Sequence, residues 1–223
     1  TIPEVREYAL ECLDHLYETG VKALVIACNS ASSAVLRDAR ERYDVPVVEV
    51  ILPAARRAVK VSKTGRIGVI CTEATATSLS YDDAVAAVPG VRLFTQACPL
   101  FVDYVERGIT GGSELLALAE GYLASLQAEA IDTLILGCTH YPLLAGVIQY
   151  VLGDEVTLVS SSEECAKAAF HALTDLGLVH AEPREASRRF LTTGNAERFE
   201  GIGRRLTGGF VHSVDQVVGV SPG

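Results

Sequence analysis

The chain has 223 residues, of which 49% are hydrophobic and 21% charged, and its formal net charge is −9. This composition is ordinary for a globular protein. It argues against a protein that binds nucleic acid or an anionic membrane, because such surfaces use clustered Lys and Arg to neutralise phosphate groups.

The sequence as printed also shows no targeting segment and no Cys-x-x-Cys motif. The apolar runs are strand-sized, far short of the ~20 residues of a membrane-spanning helix, and no charged-then-apolar leader opens the chain. None of the six cysteines has Cys-x-x-Cys spacing. We therefore expect free thiols in a cytoplasmic protein.

Helix-type and strand-type hydrophobic patterns alternate along the chain. The helices are predicted, in chain order, over residues 1–19, 30–43, 53–63, 81–88, 101–107, 114–128, 143–152, 160–176 and 196–206. The strands are predicted over residues 22–28, 45–51, 66–71, 91–97, 133–138, 155–159 and 189–193. Residues 72–78 form a polar run that leads into the fourth helix. Alternation of this kind indicates an α/β fold with parallel sheets.

An internal repeat is the most informative feature of the sequence. Residues 22–30 read Lys-Ala-Leu-Val-Ile-Ala-Cys-Asn-Ser, and residues 132–140, which lie 110 positions later, read Asp-Thr-Leu-Ile-Leu-Gly-Cys-Thr-His. Each copy is an apolar strand that ends in a small residue, a cysteine and two polar residues. The next predicted strands recur at nearly the same offset. Duplication of one strand–helix–strand unit predicts two pseudo-symmetric lobes, with mostly parallel sheets flanked by helices and the active site in the cleft between them.

The two repeated cysteines, Cys28 and Cys138, stand where a strand ends and a helix is about to begin. Ligands of parallel sheets bind at this edge, and a helix N-terminus favours the negative charge of a thiolate. Two thiols on opposite walls of a cleft suit racemisation, because one rigid base cannot reach both faces of a planar carbon. The other four cysteines are better explained as packing residues.

Two segments resemble the signature motifs of the glutamate racemases. Residues 27–32 read Ala-Cys-Asn-Ser-Ala-Ser, and residues 136–144 read Leu-Gly-Cys-Thr-His-Tyr-Pro-Leu-Leu, the more specific of the two. The resemblance extends from Thr1 to about Gly209. It implies interconversion of L- and D-glutamate with no cofactor and no metal. It further implies that the D-glutamate feeds peptidoglycan synthesis, and hence cell wall biogenesis and cell shape.

The resemblance also implies roles for individual residues. Cys28 would be the acid/base on the D-glutamate side, Cys138 would be the one on the L-glutamate side, and His140 would assist Cys138. Glu106, in a Tyr-Val-Glu-Arg-Gly run, matches an acidic residue that supports the site from behind. The residues implied to bind substrate are Asn29, Ser30, Thr72, Thr139 and, as a weaker match, Thr75.

The sequence departs from the family near its start. The family's Asp-Ser-Gly and Pro-Tyr-Gly segments do not occur, and the unit at residues 66–88 has no counterpart ahead of the first cysteine. We therefore expect one strand–loop–helix unit to be missing before Thr1, and a protein that begins there to racemise glutamate poorly. The first lobe is expected over residues 1–52 and 163–223, with the returning tail implied by the resemblance, and the second over 53–162.

Several alternatives remain open from the sequence. A racemase or decarboxylase of the same superfamily that acts on aspartate or another small acid would share this pattern, and so would a catalytically impaired fragment. A zinc site at Cys138 and His140 is disfavoured because the ligands are not paired along the chain. A pyridoxal-phosphate enzyme is disfavoured because none of the four lysines lies in a loop that looks like a cofactor site. A two-lobed binding module would explain the repeat but not the cysteines.

A small-molecule partner is expected, and both a monomer and a homodimer are compatible with the sequence.

Overall fold

The computed structural model describes residues 1–182 and 185–217. The α-helices of this part are α1 (Ile2–Glu18), α2 (Asn29–Arg42), α3 (Ile51–Val61), α4 (Glu73–Ser78), α5 (Ser80–Val85), α6 (Leu100–Glu106), α7 (Ser113–Ala128), α8 (Ala145–Leu152), α9 (Ser161–Asp175) and α10 (Ala196–Leu206). The strands are β1 (Leu24–Ile26), β2 (Val47–Glu49), β3 (Arg66–Cys71), β4 (Arg92–Ala97), β5 (Thr133–Gly137), β6 (Thr157–Ser160), β7 (Phe190–Thr192) and β8 (Val214–Gln216). A 3-10 helix covers Tyr141–Leu144.

The predicted α/β fold with parallel sheets is confirmed. Strands β4, β3, β5 and β6 form a parallel sheet in that order, while β1–β2 and β7–β8 form two further parallel pairs. Side chains alternate across the larger sheet. Ile70 and Leu134 pack into a core on one face, whereas Val69 and Ile135 pack on the other. A third core lies beneath α1 and α2.

The two copies of the repeat have the same strand pairing. Leu24 of β1 lies opposite Val47 of β2, and Leu134 of β5 lies opposite Leu158 of β6, so the second connection is one residue longer. Each cysteine follows the first strand of its pair. Helix α9 contacts α3, strand β2 of the first repeated unit, and strands β5 and β6 of the second. It thereby joins the two repeated units.

The structure differs from the sequence predictions in several local details. Residues 72–78, predicted as a polar connection, contain helix α4, which Thr72 caps at its N-terminus. Strand β1 has three residues instead of the predicted seven. The helix predicted from residue 143 begins as the 3-10 turn, which has Pro142 in its first turn. Strand β8 was not predicted, because its sequence has no run of alternating apolar residues. Among the described residues, every helix is too short or too polar to cross a lipid bilayer.

One carboxylate fixes the start of strand β5. Asp132 accepts hydrogen bonds from the Ser62 and Thr133 hydroxyls at 2.6 and 2.9 Å, from the backbone N–H groups of Lys63 and Thr64 at 2.7 Å each, and from the Thr64 hydroxyl at 2.9 Å. Burial alone would raise the pKa of Asp132, but these hydrogen bonds lower it to about 2. The turn between α3 and β3 is thereby tied to the strand that leads to Cys138.

We expect the substitution Asp132→Asn to lower the free energy of unfolding by about 1–3 kcal/mol, because the amide cannot accept all of these hydrogen bonds. Since the folded-state pKa lies below the unfolded value of ~3.9, the stabilisation is present above about pH 4 and is lost as the pH falls towards 2. Urea denaturation at pH 7 and at low pH would measure it. Asp154→Asn, in an exposed turn, is the matched control. Equal stability of both variants at pH 7 would contradict the assignment.

Candidate active site

Cys28 occupies the junction between strand β1 and helix α2. It is the N-cap residue of α2, with an extended backbone, and its side chain is exposed. The first hydrogen bond of the helix runs from the Ser32 N–H to the Cys28 carbonyl at 2.8 Å. The N–H groups of residues 29–31 therefore have no partner within the helix, and they form a positive helix end next to the thiol.

Cys138 follows strand β5 and is only 7% exposed. Burial raises the pKa of Cys138 to about 11, although hydrogen bonds from the backbone N–H groups of His140 and Tyr141 lower it in part. Part of this rise in the pKa of Cys138 comes from the negative charge of Cys28, so the two thiols lie within electrostatic range of each other. The expectation that Cys138 ionises readily is wrong, because desolvation outweighs the backbone donors.

A line of side chains leads away from Cys138. His140 places Nδ1 3.8 Å from the Cys138 Sγ, and its Nε2 lies 3.6 Å from Oε1 of Glu106 on α6. The other Glu106 oxygen lies 3.7 Å from Arg198 of helix α10. The structure thus brings Cys138, His140 and Glu106 together. It adds Arg198, which sequence reasoning missed because an arginine on an exposed helix gives no signal.

Three of the predicted substrate-binding residues form one cluster of hydroxyl groups. The Ser30 hydroxyl lies 2.8 Å from that of Thr72 and 3.2 Å from that of Thr75, and the two threonine hydroxyls are 3.1 Å apart. Ser30 stands in the first turn of α2, whereas Thr72 and Thr75 stand at the start of α4. Thr139 is exposed next to Cys138 and lies outside this cluster.

Asn29 is a predicted substrate-binding residue whose side chain is enclosed by protein, as is that of Thr75. Asn29 is 2% exposed. Its Oδ1 accepts a hydrogen bond from the Tyr81 hydroxyl at 2.7 Å, and its Nδ2 donates to the Ser161 hydroxyl at 3.1 Å. Sequence reasoning missed both partners. Ser160 and Glu163 have the spacing of a capping box, which is why the sequence predicts a helix from residue 160, but nothing local indicates the role of the next residue, Ser161.

Two further thiols, those of Cys71 and Cys98, are fully buried in the protein. Burial raises the pKa of Cys71 to about 12 and also raises that of Cys98, and neither thiol is accessible. None of the six cysteines is in a disulfide. Within residues 1–182 and 185–217, no three His, Cys, Asp or Glu side chains are arranged to hold a metal ion.

Comparison with known proteins decides the family. Residues 2–169 match the family described as Asp/Glu/hydantoin racemase. A glutamate racemase from Parafrankia sp. (strain EAN1pec) is 57% identical over 99% of this chain and 80% of its own length. The chain belongs to the glutamate racemases of this family. It is therefore an amino-acid racemase, which is a type of isomerase, and the resemblance inferred from the two motifs is confirmed.

Solved structures of the family agree with the fold. The crystal structure of a glutamate racemase isoform from Bacillus anthracis has a TM-score of 0.93 and 38% identity, and the match covers 100% of this chain and 83% of that one. Glutamate racemase from Francisella tularensis subsp. tularensis SCHU S4, solved in complex with D-glutamate, has a TM-score of 0.89 and 26% identity. That match covers 97% of this chain and 81% of that one.

The raised pKa of Cys138 can be measured without turnover. Because iodoacetamide reacts with the thiolate, and the thiolate fraction grows tenfold per pH unit below the pKa, we expect the alkylation rate of Cys138 to rise about tenfold per unit from pH 7 to pH 10. Mass spectrometry of peptides would follow each cysteine separately. A plateau of the Cys138 rate near pH 8 would contradict the assignment.

Proposed function

We propose that this protein interconverts L- and D-glutamate without a cofactor, by proton transfer between Cys28 and Cys138. The observation that carries the proposal is the placement of one thiol at the same point of each repeated unit, within electrostatic range of each other. The substrate class is supported by the 57% identical glutamate racemase and by the D-glutamate complex of a related structure.

The reaction needs one thiolate and one thiol on opposite faces of the α-carbon. The thiolate takes the α-proton, so that a C–H bond breaks and an S–H bond forms. The other thiol then gives its proton to the opposite face of the planar carbanion, so that an S–H bond breaks and a C–H bond forms. Each turnover exchanges the protonation states of the two cysteines, and a second proton transfer restores them.

The burial of Cys138 favours its role as the proton donor at rest. With a pKa of about 11 it is a thiol at neutral pH, ready to protonate the carbanion formed from D-glutamate. In the other direction Cys138 must become the base: His140, 3.8 Å away, receives its proton, and the exposed Cys28 thiolate takes up a proton from water so that it can act as the donor. Glu106 stabilises the imidazolium that forms. The enantiomers have equal free energy in water, so kcat/KM must be the same in both directions.

The charged groups of an amino acid have suitable partners near Cys28. The N–H groups of residues 29–31 at the start of α2 favour the α-carboxylate. The hydroxyls of Ser30 and Thr72 can accept from the ammonium group or donate to the carboxylate, and the buried Thr75 hydroxyl lies within hydrogen-bond distance of both. Thr139 offers a further hydroxyl next to Cys138. In the proposed lobes, 1–52 with 163–223 and 53–162, Ser30 belongs to one wall of the cleft, and both threonines belong to the other.

The D-glutamate formed would enter peptidoglycan synthesis and thereby affect the cell wall and cell shape. Six free thiols, two of them needed in the reduced form for catalysis, favour a reducing compartment such as the cytoplasm. Glutamate is the one small-molecule partner that the proposal requires.

The test is turnover and α-proton exchange of each enantiomer in heavy water, using the protein as its gene encodes it and its variants Cys28→Ser and Cys138→Ser. We expect the wild type to invert both enantiomers and to incorporate deuterium at the α-carbon. Each serine variant should lose inversion by a factor on the order of 10²–10⁴, the usual contribution of a general acid or base. The remaining cysteine can still exchange the proton of one enantiomer without inverting it.

The matched control is Cys12→Ser, which removes an exposed thiol on helix α1 and should leave turnover unchanged. Aspartate, offered as the competing substrate, should turn over more slowly than glutamate. Inversion of glutamate at the wild-type rate by either Cys28→Ser or Cys138→Ser would rule out the two-cysteine mechanism. Faster inversion of aspartate than of glutamate would identify aspartate as the preferred substrate.

A further inference from the structure

One buried side chain touches the neighbours of both cysteines. Tyr81, in helix α5, is 2% exposed, and its hydroxyl donates to Oδ1 of Asn29, the residue after Cys28. The edge of its ring lies against Gly137, the residue before Cys138, because a Cβ on that glycine would stand 3.2 Å from Cε2 of Tyr81. Tyr81 therefore spans the distance from α2 to β5.

A second series of hydrogen bonds, through helix α9, links the same two segments. The Asn29 Nδ2 donates to the Ser161 hydroxyl at 3.1 Å, and that hydroxyl donates to the Leu136 carbonyl at 2.8 Å. Ser161 has no exposed surface, and Leu136 stands two residues before Cys138. Two contacts, both made by the Asn29 carboxamide, therefore tie the segment next to Cys28 to the backbone next to Cys138.

The network has the properties of a rigid spacer. Both heteroatoms of the Asn29 carboxamide and the hydroxyls of Tyr81 and Ser161 are hydrogen-bonded inside the protein, where such bonds are strong and an unpaired partner is costly. The buried carboxamide is thus used by the protein, and the backbone N–H of Asn29 is the part that is left for a substrate.

We propose that Tyr81, with Asn29 and Ser161, sets the separation of the two cysteines across the substrate. Tyr81 is a positioning residue, since it contacts the neighbours of the reacting thiols and not the thiols themselves. The inference rests on the proposed two-cysteine reaction. In that reaction, a carbanion formed at one thiol must meet the other thiol before the first returns the proton to the same face.

The test is Tyr81→Phe, which keeps the ring against Gly137 and removes the hydrogen bond to Asn29. Misplacement of one reacting group by a fraction of an ångström to 1 Å costs up to about 10²-fold in rate. We therefore expect kcat to fall about 10- to 100-fold, while KM stays nearly constant because no substrate-binding group has changed. The number of inversions per α-deuterium incorporated should fall as well, which a loss of folded protein alone would not cause.

The matched control is Tyr43→Phe. Tyr43 is also buried, and its hydroxyl donates to Asp14 at 2.7 Å in the core beneath α1 and α2, away from both cysteines. This variant should lose stability but keep kcat and the ratio of inversion to exchange. If Tyr81→Phe does not fold, Ser161→Ala breaks the second series of hydrogen bonds and should lower the same ratio.

A readout that needs no turnover separates this inference from the proposed function. Iodoacetamide alkylation of Cys138, relative to the exposed Cys12, should become severalfold faster in Tyr81→Phe because β5 is no longer held against α2. A wild-type protein that neither inverts nor exchanges glutamate would overturn the proposed function. A Tyr81→Phe or Ser161→Ala variant with wild-type kcat, wild-type inversion per exchange and unchanged Cys138 alkylation would overturn the spacer alone.

Discussion

The close approach of β5 to β3 at Gly137 is the constraint on which the site depends. A side chain at this position would place a Cβ 2.8 Å from the Ile70 carbonyl and 3.2 Å from the Tyr81 ring, so only glycine lets the strand pass. Cys138 is the next residue along the chain. In the second copy of the repeat, the small residue before the cysteine is therefore a packing requirement.

The duplicated unit yields two cysteines in different environments. Cys28 is exposed at the N-terminus of a regular helix, whereas Cys138 is buried ahead of a 3-10 turn, and burial raises its pKa to about 11. A reaction between two identical thiols would begin with no preference for which one holds the proton. Because burial raises the pKa of Cys138, this cysteine holds the proton at neutral pH. In the proposed two-cysteine reaction, this structural asymmetry provides a defined resting state.

Much of the fold could be predicted because its signals are local. The apolar strands and the capping pattern at Ser160 each depend on a few adjacent residues, and the repeat placed both cysteines at strand ends. Helix α4 was missed because Thr-rich segments have weak helix propensity, and it depends on the Thr72 cap. Tyr81 and Ser161 were missed because their function comes from contacts with residues about 50 to 130 positions away, which no local pattern encodes. The ionisation of Cys138 was predicted wrongly because the sequence shows the helix end but not the depth of burial.

The two thiols follow strands of separate sheets, and this explains why a spacer is needed at all. Cys28 is carried by a two-stranded sheet and Cys138 by a four-stranded one, and no strand pairing links the two among the described residues. Hydrogen bonds between strands therefore cannot fix the separation of the cysteines, as they fix that of Cys71 and Gly137 within one sheet. Side chains must do so instead. A tyrosine suits this role, because its rigid ring packs against a backbone that lacks a Cβ and its hydroxyl reaches a polar partner on the other side. The same reasoning explains why Asn29 is buried beside an exposed cysteine: it anchors the helix end that presents Cys28 and leaves the backbone N–H groups there free for an anion.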